Sequence, residues 1–230
     1  YTTLFRSLEG SLPASSAAMP LLRLRGVHPR LYLTGDSIPE LKRKNASTHA
    51  EIWMKLKAQA DGLLKQPPPP YPEKVADSYD EQWWQSRNGF GMSTLAFAYL
   101  MTGEKIYLDG ARRWALATCR YPHWGVSWID GMDCMTGHNL YGLSLVYDWC
   151  YQDLEPGVLE EIRKTLIRRG SAIFKAASEG NIVPNADEFS IRPWPEWEDA
   201  YLQNHLWVNA SGIAAAGFAL YGEYEGAESW

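Results

Sequence analysis

The chain has 230 residues, of which 46% are hydrophobic, so it can bury a sizeable core in one large domain or two small ones. Its net charge of -5 argues against the basic face of a general nucleic-acid binder, and no apolar run approaches the roughly 20 residues that span a bilayer. We therefore predict no nucleic-acid partner and no membrane insertion. The cysteines form no CxxC pair, so single buried thiols are expected rather than a disulfide framework or a zinc motif.

The first 27 residues show no pattern of a folded element. Residues 1–7, YTTLFRS, match the translation of a common sequencing-adapter oligonucleotide, and we interpret them as an assembly artefact on a metagenomic fragment. Residues 8–27 have the composition of an N-terminal loop segment and lack the apolar stretch of a signal peptide. We expect the folded domain to occupy residues 28–230. The helical pattern at its end predicts that the natural protein continues, so that the domain is truncated at its C-terminus.

Two helices are predicted ahead of a proline-rich connector. Capping residues at 34–37 stand just before Pro39, which predicts a helix from about Glu40 onward. Apolar residues recur at helical spacing over residues 51–65, which predicts an amphipathic helix there. The four-proline run that follows cannot lie inside a helix, and it predicts an extended connector.

Three later segments share one layout: a helix rich in small residues, a short turn, and a more charged amphipathic helix. Strand signals are nearly absent. Small-residue helices can pack closely on several sides, whereas charged helices need water on one face. We therefore predict an all-α fold, an incomplete (α/α) toroid built of repeated helical hairpins. The small-residue helices, inside this fold, are GMSTLAFAYL, HNLYGLSLVYDWC and VNASGIAAAGFAL.

In such a fold the inner helices run parallel, so their N-terminal ends open on one rim. Helix N-termini carry unpaired N–H groups and a positive dipole end, both of which favour anions. The residues ahead of each inner helix therefore predict an anion-binding cleft. Those stretches are 83–89, 128–139 and 203–205, and their candidate residues are Arg87, His138, Asn204 and His205.

Each candidate residue also has a structural interpretation. His138 fits a cap or a packed histidine slightly better than a ligand contact, and Arg87 fits a salt bridge as well as a substrate contact. The adjacent Asn204 and His205 are poorly explained by packing against an Ala/Gly-rich helix, so a functional interpretation is favoured for them. Of three tryptophans we expect most to pack and one to face the cleft: Trp84, Trp128 and Trp207.

No metal or cofactor is predicted from the sequence. The chain has no P-loop, no GxGxxG motif after a strand and no GxSxG elbow. One conceivable set of metal ligands matches no common ligand spacing, namely His123, Asp133, Cys134 and His138.

The most specific stretches of the chain are GHNLYGLSLVYDW and QNHLWVN. Together with HPRLYLTGDSIPELKRK, LAFAYLMTGEKIYLDGARRWALA and PHWG, they resemble the N-terminal α/α-toroid domain of heparinase II/III-type polysaccharide lyases. The resemblance covers nearly everything from about His28 to Trp230. It implies cleavage of an acidic polysaccharide by β-elimination at a uronic acid.

In that family an Asn-His pair binds the uronate carboxylate. The resemblance therefore implies that Asn204 neutralises the carboxylate and that His205 is a neutraliser or the base. Arg87, His138, Trp128 and Trp207 are assigned to substrate binding. The resemblance implies a catalytic Tyr, a second His, the rest of the toroid and β-sandwich domains beyond Trp230, so the fragment alone is expected to be inactive. It also implies a periplasmic or secreted location in a polysaccharide-degrading bacterium.

Three other functions stay open. A uronyl C5-epimerase begins with the same proton abstraction. A glycoside hydrolase on an α/α toroid needs two carboxylates flanking the bond, and the available acids are Asp130, Asp133, Asp187 and Glu188. A non-catalytic carbohydrate-binding domain is expected if the natural gene lacks the downstream Tyr. Heparan sulfate, chondroitin or dermatan sulfate, alginate and ulvan-like chains all fit as the polymer.

Overall fold

The structure, a computed structural model, describes residues 22–74, 79–125, 134–179 and 204–230. Within these ranges, the side chains of residues 79–82, 176–179 and 204–206 lie outside the description. The regular elements in the described ranges are all helices, which confirms the predicted all-α class. The predicted arrangement of the hairpins as an incomplete (α/α) toroid stays a prediction. None of the helices in these ranges combines the length and the apolarity needed to cross a membrane.

Seven α-helices follow one another along the described parts of the chain. They are α1 (Ile38–Asn45), α2 (Ala50–Leu64), α3 (Tyr79–Thr102), α4 (Lys105–Arg120), α5 (Cys134–Trp149), α6 (Pro156–Glu179) and α7 (Asn204–Ala219). A 3-10 helix, Gly35–Ser37, precedes α1, and another, Glu225–Ser229, follows α7. The pairs α3–α4 and α5–α6 are the predicted hairpins, each with a short turn between its helices.

The first two helices begin and end close to where the sequence predicts. Helix α1 starts directly after Ser37 and has a proline in its first turn, as the capping residues indicate. Helix α2 ends at Leu64, ahead of the proline run. Local signals suffice here because the proline in the first turn of α1 and the prolines after α2 act on the backbone within one turn.

The predicted starts of all three small-residue helices were wrong, and α7 begins at Asn204 rather than at Val208. Helix α3 begins at Tyr79, so residues 83–89 lie inside the helix rather than ahead of it. Helix α5 begins at Cys134, which places His138 in its second turn. The physical reason is packing: polar residues that resemble a loop, such as Gln85 and Asn88, are completely buried against neighbouring helices.

Helices α3, α5 and α7 pack side by side and run parallel. Near the start of α3, Ser86 Oγ donates to Met135 Sδ at 3.1 Å, near the start of α5. Farther along both helices, the Met92 side chain lies over Gly142. Helices α5 and α7 are parallel as well. Their first turns meet at Gly137 and Val208, and at the other end Tyr147 of α5 hydrogen-bonds Glu223, which follows α7.

Glycines allow these three helices to approach backbone to backbone. A Cβ atom on Gly89 would lie 2.3 Å from the His138 carbonyl oxygen, and one on Gly142 would lie 2.5 Å from the Gly89 carbonyl oxygen. Between α5 and α7, a Cβ atom on Gly212 would lie 2.5 Å from the Gly137 carbonyl oxygen. No side chain fits at these three positions, so the small residues in the sequence fix the spacing of the layer.

Helix α5 is the centre of the packed layer, since 13 of its 16 residues are buried. Its neighbours α4 and α6 carry exposed charged residues, among them Asp109, Arg113, Lys164 and Arg168. This contrast agrees with the predicted division between small-residue helices and charged partner helices.

A buried charged cluster joins the segment ahead of α1 to the far ends of α5 and α7. His28 Nδ1 lies 2.6 Å from Asp148 Oδ1, and His28 Nε2 lies 2.7 Å from Glu223 Oε1. The backbone N–H groups of Arg30 and Leu31 both donate to Asp148 Oδ2, at 2.8 and 2.7 Å. The His28–Pro29 peptide bond is cis. The cluster therefore fastens residues 28–31 to the end of the helix layer opposite the predicted site.

Candidate functional site

The parallel packing places several predicted site residues at the N-terminal end of the helix layer. Asn204 and His205 form the start of α7, one turn ahead of Val208, whose carbonyl group faces Gly137. His138 follows Gly137 directly on α5. The backbones of the Asn-His pair and of His138 thus lie at the same end of the layer, on adjacent helices, while the side chains of Asn204 and His205 lie outside the description.

His138 is half-buried between two aromatic side chains of α3. Its ring centroid lies 5.1 Å from that of Phe90 and 6.3 Å from that of Trp83, the latter nearly edge-on at 84°. Among the described residues, none hydrogen-bonds its ring nitrogens. Burial lowers the pKa of His138 below its ordinary value, so the ring is neutral at neutral pH. A neutral imidazole offers one donor and one acceptor to a ligand.

His138 is therefore not a helix cap, which was one of its two predicted roles. A cap residue stands at the helix boundary and bonds the first free N–H groups. His138 instead lies four residues inside α5 and points its ring toward α3.

Arg87 lies on the exposed surface of α3, one turn from Trp83 and one turn from Phe90. It is well inside the helix, so it does not stand at a helix N-terminus as predicted. No described carboxylate lies within ion-pair distance of it, so the salt-bridge interpretation gains no support from the described part of the chain. A guanidinium group in this position is available to an anionic ligand.

Two of the three candidate tryptophans lie among the described residues. Trp84 packs edge-on against Tyr121, with ring centroids 5.2 Å apart, and against Tyr71. Trp207, in the first turn of α7, is 59% exposed. Trp128 lies outside the described residues.

Two aromatic residues at this end were missed by the sequence analysis. Trp83 is 48% exposed and Phe90 is 53% exposed, although both are large apolar side chains. Their spacing of seven residues would place them on one face of a helix. That signal was hidden because the sequence analysis started the helix at Gly91, after both residues.

A network of buried amides lies directly beneath His138. Asn139 Nδ2 donates to Gln85 Oε1 at 3.1 Å, and Asn88 Nδ2 donates to Thr118 Oγ1 at 2.5 Å. Asn88 Nδ2 also lies 3.4 Å from Asn139 Oδ1. The network links α3, α4 and α5 and holds the backbone on which His138 stands.

Metal ligands, thiols and carboxylates are the other groups that could take part in chemistry at this end. No group of three or more His, Cys, Asp or Glu side chains in the described ranges could hold a metal ion. Cys134 is buried, and all three cysteines are free thiols, which confirms the prediction of single buried thiols. The acids that a hydrolase would require lie outside the described residues: Asp130, Asp133, Asp187 and Glu188.

A cavity of about 380 Å³ opens at the opposite end of the layer, beside the buried His28 cluster. Three glutamates and one arginine line it, and Arg25 and Glu228 form an ion pair at 3.5 Å. This acidic lining disfavours an anionic ligand, so the cavity is a poor match for the predicted substrate.

No protein-family model matches the chain. The described helices form hairpins, and one end of the parallel helix layer carries the exposed rings of Trp83 and Phe90, the exposed guanidinium group of Arg87 and the half-buried ring of His138.

Proposed function

We propose that the chain belongs to a heparinase II/III-like polysaccharide lyase that cleaves a uronic-acid polymer by β-elimination. The observation that supports this most is the position of the QNH motif. Asn204 and His205 begin α7 at the same end of the layer as His138. An Asn-His pair at the positive end of a helix dipole is suited to bind a carboxylate.

The chemistry requires that carboxylate to be neutralised. The C5–H bond of a uronic acid is very weakly acidic while the neighbouring carboxylate keeps its full charge. In the proposed reaction, hydrogen bonds from Asn204 stabilise the enolate-like charge that develops when a base removes the C5 proton. The electron pair then forms the C4–C5 double bond and expels the oxygen at C4, which an acid protonates. His205 is a second neutraliser or the base.

The proposal includes parts of the reaction that the resemblance assigns to residues beyond 230. These are a tyrosine acid, a second histidine, and the remainder of the toroid with its β-sandwich domains. No cofactor is required by this chemistry. A periplasmic or secreted location in a polysaccharide-degrading bacterium belongs to the same proposal.

The test is an elimination assay on the product of the extended gene. The enzyme is incubated with uronic-acid polysaccharides, and the unsaturated sugar is followed by its near-ultraviolet absorbance. We expect the wild type to form this product and an Asn204→Ala, His205→Ala double variant to lose at least about 10²-fold in rate, because each lost donor leaves transition-state charge unstabilised. An Arg113→Gln variant, changed on the exposed surface of α4, is the control and should keep the wild-type rate.

The competing functions give different results in the same assay. New reducing ends without an absorbing product would indicate a hydrolase. Exchange of the C5 hydrogen with deuterated solvent, without cleavage, would indicate an epimerase. A double variant as fast as the wild type would remove Asn204 and His205 from the mechanism.

A further inference from the structure

We propose that Trp83, Arg87 and Phe90 of α3, together with His138 of α5, form a binding strip for acidic sugar rings. Its four residues are different from Asn204 and His205, to which the proposed function assigns the substrate carboxylate. It rests on the proposed function only for the acidic character of the sugar, since binding at the strip requires no elimination.

The three α3 residues share one exposed face because they are four and three residues apart. Trp83 is 48% exposed, Phe90 is 53% exposed, and Arg87 between them is also exposed. Seven residues of helix place the two rings about 10 Å apart along the axis, comparable to the length of a disaccharide. The order along the face is therefore aromatic, cationic, aromatic.

His138 completes the strip from the neighbouring helix. Its ring contacts both aromatic rings, at centroid distances of 5.1 Å to Phe90 and 6.3 Å to Trp83. The close approach depends on Gly89, where any Cβ atom would meet the His138 carbonyl oxygen at 2.3 Å. Gly89 thus explains how an α5 side chain reaches between two side chains of α3.

The chemistry of the strip favours an acidic oligosaccharide as its occupant. Aromatic rings stack on the apolar faces of sugars, and a guanidinium group binds a carboxylate or a sulfate through paired hydrogen bonds. A neutral imidazole can donate to or accept from a hydroxyl group. Arg87 is exposed between the two aromatic rings, so its guanidinium group can meet the charged group of a bound sugar. A purely apolar partner would leave this cation desolvated and unpaired.

The test measures oligosaccharide binding to the 230-residue chain by calorimetry and tryptophan fluorescence. The ligands are tetrasaccharides from alginate, chondroitin sulfate and heparan sulfate, with cellotetraose as a neutral ligand. We expect at least one acidic tetrasaccharide to bind, and Trp83→Ala and Arg87→Gln each to raise its Kd about tenfold, which corresponds to about 1.4 kcal/mol. The Arg87→Gln variant should also lose most of the salt dependence of binding.

Matched controls come from the same fold. Phe218→Ala removes an aromatic side chain that is 50% exposed toward the far end of α7, and Arg113→Gln removes an exposed guanidinium group of α4. Both should bind as the wild type does. The side chains of Trp83, Arg87, Phe218 and Arg113 are all exposed, so the four variants should unfold at nearly the same temperature as the wild type. If a strip variant unfolds at a clearly lower temperature, Phe90→Leu replaces it.

The outcomes separate the strip from the lyase. Variants of the strip that bind as tightly as the wild type, or a chain that binds no acidic tetrasaccharide, would overturn the strip. Binding that the strip variants lose and the Asn204→Ala, His205→Ala double variant keeps would establish it. If binding behaves in this way while the extended protein shows no elimination, the strip stands and the proposed lyase function fails.

Discussion

His28 is a buried histidine whose two ring nitrogens each lie within hydrogen-bond distance of a carboxylate. Burial opposes its protonation more than any other single cause, but the hydrogen bonds to Asp148 and Glu223 together outweigh burial and raise the pKa of His28 above 6.5. Burial is also the largest single influence on Glu223 and raises its pKa. The hydrogen bonds of Glu223 with His28 and Tyr147 oppose burial, and the net pKa lies below 4.5. The His28 ring also stacks on Tyr151 at 3.8 Å.

These two shifts predict how stability depends on pH. A raised folded-state pKa means that the contribution of His28 is fully present below 6.5 and is lost as the pH rises through its folded-state pKa. The lowered pKa of Glu223 means that its contribution is present above 4.5 and is lost as the pH falls through its folded-state pKa. We expect the free energy of unfolding, measured with urea, to decline from mildly acidic to alkaline pH.

A His28→Gln variant should be destabilised and should lose most of this decline. The control is His49→Gln, since His49 is exposed, and it should keep the wild-type profile. An alkaline decline of equal size in the wild type and in His28→Gln would show that another group titrates.

The partners of His28 could not be predicted from the sequence. Asp148 and Glu223 lie 120 and 195 residues away along the chain, and no local pattern links residues at such separations. Only the folded helix layer brings them together.

At the scale of elements, the glycines of α3 and α5 control the spacing of the helices. A methyl group at Gly142 would meet the Gly89 carbonyl oxygen at 2.5 Å, and backbone atoms cannot move aside as a flexible side chain can. We expect Gly142→Ala to lower the free energy of unfolding by about 1–3 kcal/mol, measured by urea denaturation. In Gly62→Ala, the control in α2, the new methyl group meets nothing within 4 Å, and stability should rise by up to about 1 kcal/mol. Equal effects in the two variants would contradict close packing at Gly142.

The helical hairpins were predictable because the contrast between small-residue and charged helices is local in the sequence. The start of α3 was not predictable, because Gln85 and Asn88 resemble loop residues until Asn139 and Thr118 are seen to bond them. The start of α3 also determined which residues of the candidate site could be predicted. Arg87 and His138 were found as polar residues ahead of small-residue helices, whereas the shared face of Trp83 and Phe90 appears only when α3 is known to extend back to Tyr79.

At the scale of the whole molecule, Arg30 connects the first described segment to the last. It donates to the carbonyl oxygens of Leu24 at 2.8 Å, Tyr221 at 2.7 Å and Ala219 at 2.9 Å. It also pairs with Glu223 at 2.5 Å. Residues near both limits of the described chain therefore share one buried guanidinium group.

We expect Arg30→Lys to lower the free energy of unfolding by about 3 kcal/mol, because an ammonium group cannot reach these acceptors together. Thermal unfolding should begin at a lower temperature, and amide hydrogens at the end of α7 should exchange faster. Arg113→Lys, on the exposed face of α4, should match the wild type in both measurements. A similar loss of stability in both variants would show that Arg30 does not join the two segments.

The amide network beneath His138 has a further consequence for assembly of the helices. A chain with several Ala/Gly-rich helices has many ways to pair them wrongly, since smooth surfaces of small residues fit one another in several alignments. A slide of α3 along α5 would separate Gln85 and Asn88 from their hydrogen-bonding partners, and each buried amide left without one would cost about 1–3 kcal/mol. The network thus favours the native alignment of α3 and α5 over shifted alignments of the same two helices.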